Sequence, residues 1–325
     1  MNLAICGTGL IVNEGALPAL KEVPEISKTA IFARPHSKDK AEKLAEDFSI
    51  KKVYTDYDEL LKDEEINFVY IGLINSVHYE YAKKALLAEK NVIVEKPFAT
   101  TSKEVEEIKN LAEEKNLYVF EAITTLNLPN FSAIKEKLPQ LGKIRAVTAN
   151  FSQYSSRYDK YLQGEVAPAF DPKKFGGALY DLNIYNLNFI VGLFGEPDEV
   201  NYTANIGFNG VDTSGIVVMK YKNFFASAVA AKDSDSPSYA IIQGEKGYIR
   251  TLGKPNELQG FEINLRGSDK VEKISLNKFS HRMTHEFKRF AEIYNKKDFS
   301  AMQKGLETSL AVMKTAEKAR SQIIS

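Results

Sequence analysis

Asn91-Val92-Ile93-Val94-Glu95-Lys96-Pro97 is a run of apolar, β-branched residues that ends in a charge pair and a proline. Val92 to Val94 is apolar throughout and bounded by polar residues, so it reads as a short buried strand. Pro97 has no N–H for a sheet ladder, so the strand stops there, and it biases Lys96 toward extended backbone. A charge pair at the carboxyl end of a strand stands where open α/β sheets place their ligands.

Strands and helices alternate on both sides of this run. Asn2 to Cys6 is an apolar strand, followed by Gly7-Thr8-Gly9-Leu10-Ile11-Val12 and a helix from Glu14 to Glu22. Further strands are expected over Thr29 to Ala33, Lys52 to Tyr54, Phe68 to Leu73 and Leu117 to Phe120. Helices fall between them, over Lys38 to Phe48, Tyr57 to Leu61, Val77 to Glu89 and Ser102 to Lys115, with Ser102 as the N-cap. This alternation with short connections predicts a doubly wound, mostly parallel Rossmann sheet over residues 1–121. The glycine pair after the first strand suits it: one glycine for the tight turn, the next for close approach of a pyrophosphate to a helix N-terminus. Val12 replaces the third glycine of the GxGxxG pattern, which is expected to loosen helix–strand packing at the turn. Glycine pairs after strands are also plain turns, and the βαβ context decides for the dinucleotide reading.

The second strand ends Ile31-Phe32-Ala33-Arg34-Pro35-His36-Ser37, with no carboxylate to accept from a ribose 2′-OH. Arg34, assisted by Ser37 or His36, is read as the partner of a 2′-phosphate, which makes NADP the expected cofactor and NAD the alternative; the bland alternative for Arg34 is a solvated loop residue. The fourth strand ends Gly72-Leu73-Ile74-Asn75-Ser76-Val77-His78 and brings Asn75 and His78 to the ligand edge. His78 either caps the following helix, contacts the cofactor, or is a purely structural histidine.

After Phe120 the pattern changes. A helix is expected around Phe131 to Leu138, a strand over Lys143 to Gln153, a polar cleft loop over Ser155 to Lys174, and then Gly176-Gly177 opening a helix over Ala178 to Phe194. Seven strands follow at close spacing, joined by turns such as Lys222-Asn223, and two helices finish the chain. Residues 122–325 are therefore expected to form an α+β domain on a large, mainly antiparallel open sheet. One face of that sheet takes helices, and the other is expected to take a second subunit, giving a homodimer. Asp181 and Tyr185 stand four apart on the helix after the glycines, and alone they read as a buried tyrosine bonded to an aspartate.

Composition narrows the functional classes. The chain has 325 residues, 44% hydrophobic and 26% charged, with Lys+Arg and Asp+Glu equal at 43 each. Two domains fit that length, and the charge balance carries no signal for nucleic acid or an anionic membrane. One cysteine allows no internal disulfide. No signal peptide and no membrane-spanning run is read from the sequence, so a cytoplasmic protein acting on a small molecule is the expectation. No Cys/His spacing matches a zinc site, and no metal is expected.

Gly7-Thr8-Gly9, Asn75-Ser76-Val77-His78, Glu95-Lys96-Pro97 and Gly176-Gly177-Ala178-Leu179-Tyr180-Asp181 followed by Tyr185 together resemble the glucose–fructose oxidoreductase/inositol dehydrogenase/MocA (Gfo/Idh/MocA) oxidoreductases, over nearly the whole chain. The resemblance implies that Lys96 sits near nicotinamide and substrate, and that Asp181 contacts substrate. Tyr185 stands where many members carry histidine, which resembles the branch containing dihydrodiol dehydrogenase, with tyrosine as the acid–base and a preference for NADP. Asn183 departs from a position where glycine is common.

The chemistry implied is hydride transfer between nicotinamide and a secondary alcohol or carbonyl of a sugar, polyol or dihydrodiol. A phenol has an ordinary pKa near 10, and an adjacent ammonium favours its phenolate, so Lys96 and Tyr185 are expected to work as a pair. Asp181 is expected to anchor a substrate hydroxyl or hold Lys96, and Glu95 to hydrogen-bond the nicotinamide-side ribose. Gly7, Thr8, Gly9, Leu10 and Ile11, with Arg34, Ser37, Asn75, His78, Glu95 and Lys96, make up the expected cofactor site. Two alternatives stand beside this: an NADP-sensing regulator of the same fold without turnover, and an NAD-dependent glycosidase. The regulator need keep neither Lys96 nor Tyr185, whereas the glycosidase needs a tightly retained cofactor.

Overall fold

Six parallel strands carry the first of two units: β1 (Asn2–Cys6), β2 (Ser27–Phe32), β3 (Lys52–Tyr54), β4 (Phe68–Ile71), β5 (Asn91–Glu95) and β6 (Val119–Ala122). They lie in the order β3-β2-β1-β4-β5-β6, every neighbouring pair parallel. This is the doubly wound arrangement predicted from the alternation, with its switch point between β1 and β4. Every residue of β4 and β5 is buried, as strands covered on both faces must be. The computed structural model describes residues 1–323.

Two helix starts differ from expectation. The helix after the glycine loop begins at Ile11, not Glu14, as a wide π turn over Ile11–Ala16 that continues as α-helix through Leu17–Leu20. The N–H groups of Val12 and Asn13 both donate to Gly9 O, which starts the winding early. The N-cap of the helix Ser102–Lys115 is Thr101, not Ser102. Only Thr101 stands three residues before Glu104; its hydroxyl accepts from the Glu104 N–H at 3.2 Å, and the Glu104 carboxylate accepts from the Thr101 N–H at 3.1 Å.

The first unit comprises Met1–Ala122 together with Phe279–Ser309. The division expected from the sequence left residues 279–309 with the second domain. The helix Arg282–Asn295 explains the difference, because its apolar stripe is built for the first sheet. Phe287 meets Tyr70 of β4 edge-on at 5.7 Å, Phe290 stacks on Phe120 of β6 at 4.7 Å, and Tyr294 meets Phe68 edge-on at 4.9 Å. An apolar stripe announces a partner without saying which sheet it is.

The second unit comprises Ile123–Lys278 and the chain from Leu310 onward. Its strands are β7 (Ile144–Ser152), β8 (Glu199–Ile206), β9 (Asp212–Tyr221), β10 (Phe224–Ala231), β11 (Tyr239–Gly244), β12 (Gly247–Leu252), β13 (Gly260–Leu265) and β14 (Val271–Ile274). They form one sheet in the order β14-β13-β12-β11-β7-β10-β9-β8, antiparallel except for the β7–β10 pair. Alternation along the strands separates two faces. Val147, Ala149, Val217, Met219 and Ala228 are buried on one, where the helix Ile184–Phe194 packs against β7 and β10. Ile216, Val218, Phe225 and Tyr248 are exposed on the other. Among the described residues no helix is long and apolar enough to cross a membrane.

Candidate active site

A cleft of about 360 Å³ opens at the carboxyl ends of β1, β2 and β4, lined by Gly7, Thr8, Gly9 and Ile11, by Arg34, Ser37 and Lys40, and by Gly72, Leu73 and Ile74, with Val77 and Tyr81 completing the wall. The backbone explains the first glycine. Gly7 has φ +121°, and a Cβ there would lie 2.5 Å from Gly72 O. The tips of β1 and β4 are held this close by Gly72 N–H donating to Cys6 O, and Gly7 N–H ties the tip of β1 to β2 by donating to Phe32 O, both at 2.9 Å.

Val12 does not loosen the turn as expected. Its side chain is fully buried, and a Cβ on Gly72 would lie 2.8 Å from Val12 Cγ2. The space a third glycine would leave on the helix is left on β4 instead. Gly9 differs in kind: a Cβ there would meet nothing within 4 Å. Packing does not call for glycine at that position, while the open space before the loop fits a pyrophosphate on the N–H groups that start the helix. Leu10, at the helix N-cap, is 55% exposed and is not among the residues lining the cleft.

Arg34 and Ser37 both line the cleft, and Lys40, which sequence reasoning did not single out, joins them. Lys40 lies in the first turn of the helix Lys38–Asp47, which leads off from the strand tip. Three polar or cationic groups and no carboxylate therefore line the end of the cleft beyond β2.

The loops that follow β4 and β5 are tied together through His78. His78 is fully buried, with Nδ1 2.9 Å from Pro97 O and Nε2 3.1 Å from Leu73 O. It spans the two loops as a backbone clamp. Burial pushes its pKa down, against the opposing pull of the carbonyl contacts. Asn75 begins the single turn Asn75–Val77 and is half-buried; Lys96 is half-buried at the end of β5. None of Asn75, His78, Glu95 and Lys96 is among the residues lining the cleft.

Glu95 turns inward, contrary to its expected contact with a ribose. It is 4% exposed and accepts from Tyr70 Oη at 2.7 Å, and burial raises its pKa. Two more buried carboxyls belong to the same interior. Glu121 accepts from Phe98 N–H at 3.1 Å and Ser309 Oγ at 2.6 Å, and burial pushes its pKa up to about 7. Both carboxyl oxygens of Glu286 are buried without a hydrogen-bond partner, and burial together with the nearby Glu95 carboxylate holds its pKa well above the ordinary value.

In the second unit Gly177 of the Gly176-Gly177 pair makes room for a buried aspartate. Gly177 has φ +106°, and a Cβ there would collide with Asp212 Oδ1. Asp212 Oδ2 accepts from Leu179 N–H at 2.6 Å and Tyr202 Oη at 2.7 Å, so it serves the start of the helix from 33 residues away in sequence. That helix opens with a wide π turn over Leu179–Asn183 before the α-helix Ile184–Phe194, a geometry frequent at functional sites. Asn183, at the position where glycine is common, donates to Ala228 O of β10 at 3.0 Å and accepts from Asn186, which also donates to Val229 O at 2.9 Å. The asparagines dock the helix on the sheet. Tyr185 is 6% exposed, with its ring 5.8 Å from that of Phe151. Asp181 is 34% exposed and pairs with Lys232 at 2.8 Å, a lysine just past β10 that sequence reasoning passed over. Among the described residues no group of three or more His, Cys, Asp or Glu side chains is placed to hold a metal ion.

A doubly wound sheet with a glycine-lined cleft at its switch point is the architecture of a dinucleotide-binding oxidoreductase. Comparison with known proteins gives the family. Residues 1–123 match the model described as oxidoreductase family, NAD-binding Rossmann fold, and residues 136–250 match the GFO/IDH/MocA C-terminal domain. YgjR of Escherichia coli (strain K12), an uncharacterized oxidoreductase, is 35% identical over 90% of this chain and 88% of its own length. The scyllo-inositol 2-dehydrogenase (NADP(+)) IolU of Bacillus subtilis (strain 168) is 32% identical over 99% of this chain and 97% of its own. Among solved structures, KijD10, a 3-ketoreductase from Actinomadura kijaniata in complex with NADP and TDP-benzene, has a TM-score of 0.86 over 99% of this chain and 97% of that one, at 22% identity; the likeness bears on the fold. The chain belongs to the Gfo/Idh/MocA family and is an NAD(P)-dependent oxidoreductase.

Proposed function

We propose that this oxidoreductase uses NADP to interconvert a secondary alcohol and a carbonyl on a sugar, polyol or dihydrodiol, with Tyr185 as the acid–base, Lys96 assisting it and Asp181 contacting substrate. The observation that carries the reading is the half-open Asp181 carboxylate in the π turn that leads, four residues on, to the buried phenol of Tyr185. Relatives named for scyllo-inositol and for trans-1,2-dihydrobenzene-1,2-diol support the substrate class. When bound, nicotinamide supplies the hydride acceptor or donor. The chain manages the proton: in oxidation Tyr185 Oη takes it from the substrate hydroxyl as the C–H hydride leaves, and in reduction returns it to the carbonyl oxygen.

The choice of NADP over NAD rests on Arg34, Ser37 and Lys40 in the cleft and on the lack of a carboxylate at the tip of β2. The test is a panel of inositols, sugars, diols and carbonyl compounds assayed with both phosphorylated and unphosphorylated cofactor. Turnover of a polyol or diol with NADP(H) is the expected result; a panel without turnover overturns the reading.

A homodimer belongs to the same proposal. Phe225 and Tyr248, 55% and 41% exposed, stand with Ile216 and Val218 on the uncovered face of the large sheet, which supports its use as a self-association surface. Sedimentation of the purified chain tests it, with a monomer as the outcome that removes it.

A further inference from the structure

We propose that Lys232 is a positioning residue for Asp181: a buried ammonium that fixes the direction of the carboxylate and ties it to the loop over residues 155–174. This rests on the reading of Asp181 as a substrate contact and goes beyond it.

Lys232 immediately follows β10, and its backbone is fixed on both sides. Its N–H donates to Thr213 O at 2.8 Å, and its carbonyl accepts from Ser155 N–H at 2.9 Å. The side chain is 2% exposed. Its ammonium donates to Asp181 Oδ2 at 2.8 Å and to Ala169 O, and sits 4.3 Å from the centre of the Phe170 ring. One cation thus joins the end of a central strand, the π turn that carries Asp181, and the loop segment before Gly176-Gly177.

The loop is itself firmly seated. Phe170 is fully buried, Asn209 donates to Phe170 O at 2.8 Å and accepts from Tyr161 Oη at 2.8 Å, and a Cβ on Gly176 would lie 2.6 Å from Pro168 O. Lys232 is therefore anchored to a rigid element on each side, and its charged partner Asp181 is partly open.

Burying an ammonium is a poor route to stability. Removing an ion from water is costly, and a well-packed apolar side chain is often as stable or better. What a buried, doubly hydrogen-bonded ammonium beside a carboxylate does provide is direction. It holds the Asp181 carboxylate in one orientation before substrate arrives, which is how supporting groups preorganise a substrate contact. The purely structural alternative is a staple for the loop that has no bearing on Asp181.

The test compares Lys232→Met, Lys232→Gln and Lys232→Arg, each in the wild-type and Asp181→Asn backgrounds, using NADP+ and the polyol that the panel above selects. Lys232→Met should raise the KM for polyol about tenfold or more and leave the KM for NADP+ within about twofold. Lys232→Arg should recover most of that loss. With Asp181→Asn already present, Lys232→Met should add less than about twofold, since both changes remove one interaction. An unchanged polyol KM, a parallel rise in both KM values, or a full additive effect in the Asp181→Asn background overturns the proposal. Lys232→Gln is expected to reproduce the same selective loss and decides the matter if Lys232→Met does not fold. Tryptic cleavage after Arg157, Lys160, Lys173 or Lys174 reads the loop tie without turnover: faster cleavage in the uncharged variants is expected, and an unchanged rate overturns the tie. A wild-type protein that turns over no polyol or diol fails the functional reading instead, and digestion still reports on Lys232.

Discussion

Val12 and Gly72 are complementary: the valine fills on the helix what the glycine leaves empty on the strand tip. A Cβ on Gly72 would stand 2.8 Å from Val12 Cγ2 and 2.9 Å from the Tyr70 ring. Gly72→Ala should therefore push the glycine loop out of place, destabilising the protein by about 1–3 kcal/mol and weakening NADPH binding. Adding Val12→Gly should recover part of both losses. Thermal unfolding and NADPH fluorescence titration check this, and a Gly72→Ala protein as stable as the wild type would refute the complementarity.

Arg34 should discriminate between cofactors rather than serve binding in general. Charge-assisted hydrogen bonds contribute about 1.5–3 kcal/mol, so Arg34→Ala should weaken NADPH roughly ten- to a hundredfold and leave NADH nearly unchanged. Lys40→Ala should act in the same direction. Parallel titrations decide; equal losses for both cofactors would show that neither cation reads the 2′-phosphate.

Tyr185→Phe removes a single hydroxyl from a buried ring. Turnover should fall by about 10²–10⁴, while NADPH affinity and melting temperature stay close to the wild type. Full activity in this variant would take the phenol out of the mechanism.

The buried carboxyls of the first unit predict a stability that declines as pH rises. Glu121 is shifted from the ordinary 4.5 to about 7, and Glu95 and Glu286 are shifted in the same direction by burial. A folded pKa raised above the unfolded one gives a contribution fully present below the unfolded value and lost as pH climbs through the folded one. For Glu121 alone the swing between pH 4.5 and 7 is roughly 3 kcal/mol. Glu286 has no hydrogen-bond partner to lose, and faces Glu95, Glu121 and Arg282. Glu286→Gln should melt at the wild-type temperature near pH 5 and several degrees above it near pH 8. A variant that melts lower at pH 8 would mean that the ionised carboxylate is a stabilising group.

Much of the first sheet was legible because its signals are local. An apolar run that ends at a proline, and a glycine pair after a strand, need no distant partner to be understood. The same holds for Gly7, Thr8, Gly9, Ile11, Arg34 and Ser37, all of which line the cleft. What escaped was set by pairings across the chain. Nothing near Lys232 announces Asp181, 51 residues earlier. Gly177 looks like a turn residue until Asp212 occupies the place of its missing side chain. Glu95 sits one residue from Lys96 yet faces inward, because alternate side chains of a strand point to opposite faces and Tyr70 holds one of them.

The helix Arg282–Asn295 bears on how the protein is made. The nucleotide-binding unit opens the chain with Met1–Ala122 but is completed only by Phe279–Ser309. On the ribosome, its first sheet is synthesised long before Phe287 and Phe290 exist to cover Tyr70 and Phe120. Until then the nascent chain carries an apolar surface in need of protection, and a message cut short before codon 279 yields a sheet whose Phe68, Tyr70 and Phe120 lack their aromatic partners on this helix. The unit that emerges first is thus closed only after nearly all of the other has been made.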